Sequence, residues 1–302
     1  MPSQERPEHE REGYRQGGDD QQVVGTPSLL GPERVESHPV IIVHAMDGIG
    51  VERDEGVVTI TIDNPARKNA MTTDMLQALL AVVVAVAADP DDRVLVITGA
   101  GDAFCSGADV QALADPGAVH PLVGMRATGD VALALHRLAK PTIAKVAGVA
   151  AGMGCNLALS CDLIVAADTA RFSEIFSKRG LSLDFGGSWL LPRLVGLHRA
   201  KELALFGDLI SAKEAADMGL VNRVVPRAEL DEFVQGWARR LAAGPPLALS
   251  MTKTMLNNSF AVSMEQAVED EARSQAVNFA TADTPEAFAA FFAKREPRFT
   301  GH

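Results

Sequence analysis

Apolar and polar positions alternate with period two across residues 56–63, "GVVTITID", and β-branched residues fill many places, so this stretch is predicted to be a strand. The loop "NPARKNAM" follows. Thr72 or Thr73 then stands where a helix cap belongs, ahead of the apolar run "MLQALLAVVVAVAA" at 75–88, and "DPDD" ends that helix. "RVLVITG" at 93–99 is apolar almost throughout, as a buried strand would be. "AGDAFCSGADV" reads as a loop leading into a helix that contains Leu133, Leu135 and Leu138 and stops at Lys140-Pro141. A strand in "TIAKVAG", a turn and helix in "AAGMGCNLALSCD" and a strand in "LIVAA" continue the alternation. Strand–strand–helix units with buried strands predict an α/β architecture.

After Trp189 the pattern turns helical. "SAKEAADMG" carries a capping box, Ser211 with Glu214, and ends on Gly219. "LVNRVVP" is a last short strand. Beyond Pro226 the spacing predicts only helices, over about 228–243, 246–258, 263–279 and 285–294, the last one opened by Thr284-Pro285-Glu286. Three regions result: an N-terminal extension, 1–45, expected to be disordered; an α/β core, 46–227; and a helical region, 228–302. Residues 1–22 are too polar to bury a core, and Met46 is a candidate translation start.

Composition narrows the function. The chain has 302 residues and a formal net charge of −11, which argues against a nucleic-acid partner, because phosphate binding needs clustered Lys and Arg. The 75–88 run is too short for a membrane span, and the N-terminus lacks the apolar stretch of a secretory signal. Cys105, Cys155 and Cys161 form no C-x-x-C pair, so reduced thiols and a cytoplasmic location are expected. The histidines include no H-E-x-x-H, and no metal site is expected.

Three segments carry candidate chemistry. In "AFCSGADV", Gly107 and Ala108 are small enough for another molecule to approach the backbone, although an ordinary strand-to-helix loop would look the same. In "VAGVAAGMGCNLALSCD" a strand runs through Gly152-Met153-Gly154 into a helix whose free N–H groups favour an anion. Leu157 stands where a dinucleotide fingerprint has its third glycine, and neither a P-loop nor a G-x-S-x-G elbow occurs. In "KRGLSLDFGGSWLLPRLVG", Asp184 is the single acid among apolar residues and glycines; local sequence favours a turn, and the alternative is a base tuned by apolar neighbours. Backbone donors that steady an oxyanion, with one carboxylate that moves a proton, suit proton abstraction beside a carbonyl.

"IDNPARKNAM", "VLVITGAGDAFCSGADV", "VAGVAAGMGCNLALSCDLIVAADTARFS", "GGSWLLPRLVG" and "ISAKEAADMGLVNRVV", in that order, resemble the crotonase (enoyl-CoA hydratase/isomerase) superfamily. The resemblance implies a ClpP-like spiral of ββα units with a helical C-terminal region that builds homotrimers or dimers of trimers. It implies an acyl-CoA thioester substrate and no cofactor beyond the CoA that the substrate brings. By motif, the N–H groups of Ala108 and Met153 would hold the thioester oxygen, and Arg67, Lys68 and Ala70 would lie at the CoA. The two glutamates of the family's hydratases correspond to Asn156 and Phe176, so hydration of crotonyl-CoA is expected to be weak or absent. Glu174 reads as structural or solvent-facing. Asp184 falls where several isomerases of the superfamily, those acting on epoxyphenylacetyl-CoA and enoyl-CoA among them, keep a catalytic aspartate. Phe176, Trp189 and Asn156 are assigned to the acyl pocket, with core packing the competing role for the aromatics. The implied activity is an isomerase; a hydratase, a thioesterase and a silent acyl-CoA-binding subunit are the rivals.

Overall fold

The computed structural model describes residues 41–46, 48–109 and 120–302, with side chains from 48 onward. The expected extension therefore lies mostly outside the described residues. Its end is corrected: β1 (Ile41–Met46) pairs antiparallel with β2 (Ile49–Asp54), so regular structure begins before the expected boundary at Met46. The β-branched run Ile41-Ile42-Val43 suits an extended backbone.

β3 (Val57–Ile62) pairs antiparallel with β2 and parallel with β4 (Val94–Gly99). Its Val58, Ile60 and Ile62 are fully buried and the residues between are not, which is the period-two pattern made physical. β4 is buried at every position because strands flank it and other elements cover its faces. β6 (Thr142–Val146), β8 (Leu163–Ala167) and β11 (Arg223–Val225) extend the large sheet in parallel, in the order β1-β2-β3-β4-β6-β8-β11.

A second sheet, in the order β10-β9-β7-β5, is built from pieces of two or three residues: β5 (Ala103–Cys105), β7 (Val149–Ala151), β9 (Arg171–Ser173) and β10 (Ile210–Ser211). The sequence pattern places loop or turn at β5 and β7; the structure makes each a short strand. Strands β4, β6 and β8 join the large sheet, and β5, β7 and β9, which follow them, join the small one. The chain thus winds as the expected spiral of ββα units. Phe104 and Phe172, fully buried, anchor β5 and β9 in the core.

The helices close each turn. α1 (Thr73–Ala88) starts where expected, with Thr72 Oγ1 accepting from the Met75 N–H at 3.2 Å. α2 (Pro121–Arg137) precedes β6, and α3 (Met153–Leu159), buried at every residue, follows β7. α4 (Gly187–Phe206) breaks at Gly196, whose φ of 75° and ψ of 161° are not helical. α5 (Ala212–Asp217) has the complete Ser211–Glu214 capping box.

α6 (Leu230–Ala242), α7 (Pro246–Asn258), α8 (Met264–Phe279) and α9 (Asp283–Ala293) match the helices expected beyond Pro226 to within a few residues. α7 is tied to the core by Lys253, which reaches Asp162 Oδ2 at 2.8 Å and the Lys140 carbonyl at 3.0 Å. The C-terminal segment folds back on α9: the Asp283 carboxylate accepts from the N–H groups of Thr300 and Gly301. Phe279, Phe291 and Phe292 are exposed on this single chain. Among the described residues, no helix is long and apolar enough to cross a membrane.

Candidate active site

Three loops meet at the candidate site, and glycines set how closely they approach. Gly107 has φ +111°, a conformation L side chains rarely adopt, and a Cβ there would lie 3.1 Å from the Ala151 carbonyl and 3.9 Å from the Met153 nitrogen. The loop after β5 and the start of α3 are therefore in contact. Gly154 fixes their spacing, since a Cβ on it would fall 2.2 Å from the Cys105 carbonyl.

This contact brings the two expected donor residues together. The Gly107 carbonyl accepts from the Met71 N–H and the Asp109 N–H donates to the Met71 carbonyl, each at 2.9 Å. Peptide groups alternate in direction along such a bridge, so the Ala108 N–H points away from Met71. Met153 is the first residue of α3, where an N–H has no intrahelical acceptor. Neither N–H donates to a carbonyl among the described residues. Two amides without a carbonyl acceptor, on segments in contact at a helix start, are suited to hold an oxyanion.

The 64–71 loop is laced to the same place. The Ser106 N–H donates to the Lys68 carbonyl at 3.0 Å, and the Ser106 hydroxyl donates to the Arg67 carbonyl at 2.9 Å. Lys68 and Asn69 adopt positive φ, held by the buried Asn69 side chain, which donates to the carbonyls of Ala100 and Ala103. The Arg67 guanidinium pairs with Asp109, which is only 7% exposed. Ala70 is buried, and Lys68 is exposed. The residues expected at the CoA are thus fastened to the loop that carries the Ala108 amide.

Asp184 opens a tight turn: the Gly187 N–H donates to its carbonyl at 2.9 Å, across Phe185 at φ 48° and Gly186 at φ 79°. Positive φ at both central positions is the geometry of a primed turn, and a buried aromatic held there is strained. The turn reading of the backbone is correct, and it leaves the side chain free for another role. The carboxyl is half-buried, its Oδ1 is buried without a hydrogen-bond partner, and burial pushes its pKa up to about 6.

Asn156, fully buried on α3, donates from Nδ2 to the Asp184 carbonyl at 3.0 Å. Gly187 permits this approach, because a Cβ on it would come within 2.5 Å of three Asn156 side-chain atoms. Phe176 is buried, its ring 3.7 Å from where a Gly152 Cβ would be, so it sits beside the start of α3. Trp189 is 39% exposed; the Arg193 guanidinium stacks on it at 3.8 Å and His136 meets it edge-on at 5.2 Å. These ring contacts place Trp189 against one side chain of its own helix α4 and one of α2.

For Glu174 the structure decides between the two positions that the sequence leaves open. The residue is 2% exposed, so a solvent-facing position is excluded, and neither carboxyl oxygen has a hydrogen-bond partner. Cys155 and Asn156 lie close by but out of good hydrogen-bonding geometry. Burial, opposed by these two polar neighbours and reinforced by the Asp184 charge, pushes its pKa up to about 7. Among the described residues, no group of three or more His, Cys, Asp and Glu side chains is placed to hold a metal.

Comparison with known proteins shows the family. The profile of the enoyl-CoA hydratase/isomerase family matches residues 52–302. The 1,2-epoxyphenylacetyl-CoA isomerase of Escherichia coli is 38% identical over 252 residues, covering 82% of this chain and 96% of the relative. A probable enoyl-CoA hydratase of Rhodobacter capsulatus is 38% identical over 253 residues, covering 84% and 98%. The crystal structure of an enoyl-CoA hydratase from Bacillus anthracis superposes with a TM-score of 0.82 at 31% identity, covering 85% of this chain and all of the other. The chain belongs to the enoyl-CoA hydratase/isomerase family.

Proposed function

We propose that this protein is an acyl-CoA isomerase in which Asp184 moves a proton along the acyl chain while the Ala108 and Met153 amides hold the thioester oxygen. The observation that carries the reading is the chemistry of the two side chains beside α3. The positions matched to the hydratase glutamates hold Asn156 and Phe176, neither of which has an ionisable group to act as acid or base at neutral pH. Asp184 does, with a pKa near 6 that suits a general base.

In the proposed cycle the thioester oxygen accepts from both amides. Asp184 takes a proton from a carbon of the acyl chain, and the electron pair moves into the carbonyl to give an enolate. Each amide stabilises that charge by about 3 kcal/mol. The carboxylic acid then returns the proton at another carbon, and the double bond ends in a new place. One base suffices, nothing is oxidised or reduced, and the CoA is part of the substrate. Arg67, Lys68 and Ala70 would border the CoA, and Phe176 the acyl group.

The exposed Phe279 and the adjoining, exposed Phe291 and Phe292 support assembly into a homotrimer or larger oligomer, because exposed aromatic surface is costly to leave in water. Light scattering on the purified chain tests this. The activity is tested by offering 3-enoyl-, 2-enoyl- and arylacetyl-CoA esters in heavy-oxygen water and following absorbance and mass. Isomerisation without a mass gain is expected; incorporation of water oxygen would favour a hydratase.

A further inference from the structure

Behind Asp184 lies a cluster with more acceptors than donors. Four buried oxygens, both of Glu174, Asn156 Oδ1 and Asp184 Oδ1, have no hydrogen-bond partner. The nearby donors do not make up the deficit. One Asn156 N–H is committed to the Asp184 carbonyl, and the Cys155 thiol, a weak donor, is not well aligned. Two ionised carboxylates here would be charges left buried without compensation.

We propose that Glu174 is a positioning residue that stays protonated while Asp184 is ionised, so that the two carboxyls hold one proton between them and only Asp184 acts on substrate. The neutral acid packs against Asn156, which holds the Asp184 turn. The enclosure is built for it: Glu174 follows β9, and α4 returns over it, with Gly207 leaving room for the Glu174 carbonyl at 3.1 Å from its missing Cβ. Among the described residues, the titratable groups that act on Glu174 are Cys155 and Asp184. Burial keeps the thiol neutral, so among the described residues Asp184 is the charge that acts on Glu174. Glu174 is the more deeply buried of the two, so it keeps its proton longer: burial, with a smaller push from the Asp184 charge, raises it to about 7, whereas burial raises the half-buried Asp184 to about 6. Ionising Glu174 puts a second negative charge beside a reaction that develops an enolate, so turnover should fall on the alkaline side.

The proposal rests on the isomerase reading only for its kinetic consequence. Infrared spectra of the wild-type protein carrying carbon-13-labelled glutamate, recorded from pH 5 to 9, test it without any activity. One labelled protonated carboxyl should persist at pH 6, where surface glutamates are ionised, and disappear with a midpoint near 7. Glu174→Gln, a neutral isostere, should keep kcat at pH 6.5 within about threefold and abolish the alkaline limb. No protonated glutamate at pH 6 would overturn the proposal. So would a loss of about 100-fold or more in the Gln variant, which would make Glu174 a catalytic carboxylate. An unchanged alkaline limb would also overturn it. If no ester is isomerised yet the infrared band titrates near 7, the isomerase reading fails and the protonation of Glu174 stands.

Discussion

The Asn156 side chain donates to the main-chain carbonyl of Asp184 at 3.0 Å, tying the middle of α3 to the turn that carries the proposed base. The same helix supplies the Met153 amide at its first residue. Base and oxyanion donor are thereby referred to one rigid, buried element, and the position matched to a hydratase glutamate has become a structural strut.

Removing that strut should loosen the base more than the fold. Asn156→Ala leaves the Asp184 carbonyl with its Gly187 bond but takes away a buried partner, which costs about 1–3 kcal/mol of stability. We expect a fall in kcat of roughly tenfold with little change in KM, because the lost contact bears on Asp184 and not on the CoA loop. Denaturant melts and steady-state kinetics check both numbers.

Gly107→Ala tests the oxyanion hole. The φ of +111° disfavours alanine, and the new methyl would crowd the Ala151 carbonyl beside the Met153 nitrogen. Displacing one donor amide should lower kcat by about 100-fold. A variant of full activity would separate this loop from the chemistry.

Crotonyl-CoA should be hydrated poorly. Without an acid and base at Asn156 and Phe176, hydration forgoes general acid–base catalysis worth about 100- to 10,000-fold. Following loss of the enoyl-thioester absorbance checks this directly; rapid turnover would show that another group activates water.

Stability should depend on pH in a direction unusual for carboxylates. Glu174 and Asp184 hold their protons more tightly folded than unfolded, with ordinary values of 4.5 and 3.8 raised to about 7 and about 6. Their contribution is complete below the ordinary values and is lost as pH rises through the raised ones. His136, whose pKa is lowered by burial from 6.5, acts in the opposite sense. The comparison with Glu174→Gln isolates the carboxyl: the wild-type Tm should fall by several degrees relative to the variant between pH 5 and 8. Parallel curves would contradict the raised value.

The parts legible in the sequence are those with a local cause. The Thr72 cap, the Ser211–Glu214 box and the helices beyond Pro226 follow from caps and periodicity, and the long strands from alternation or continuous apolarity. β9 and β10 were invisible, as were β5 and β7, because two or three residues carry no period; only pairing across the small sheet makes them strands. At Asp184 the turn is readable from Asp and Gly, but the positive φ of the buried Phe185 is not, since a bulky residue gives no local signal for it. For Glu174 the sequence leaves a structural and a solvent-facing position open, although Phe172 and Ile175-Phe176 flank it. The structure removes the second: its burial comes from contacts distant in sequence, with Gly207 at the end of α4 packed against it.

The central claim is that the Asp184 carboxyl moves the proton. Replacing it by the isosteric amide, Asp184→Asn, and measuring both isomerisation of a 3-enoyl-CoA ester and its binding by calorimetry tests that claim most directly. The expected result is a fall in kcat of at least about 100-fold with Kd unchanged within about threefold. Isomerisation that survives the substitution would contradict the account.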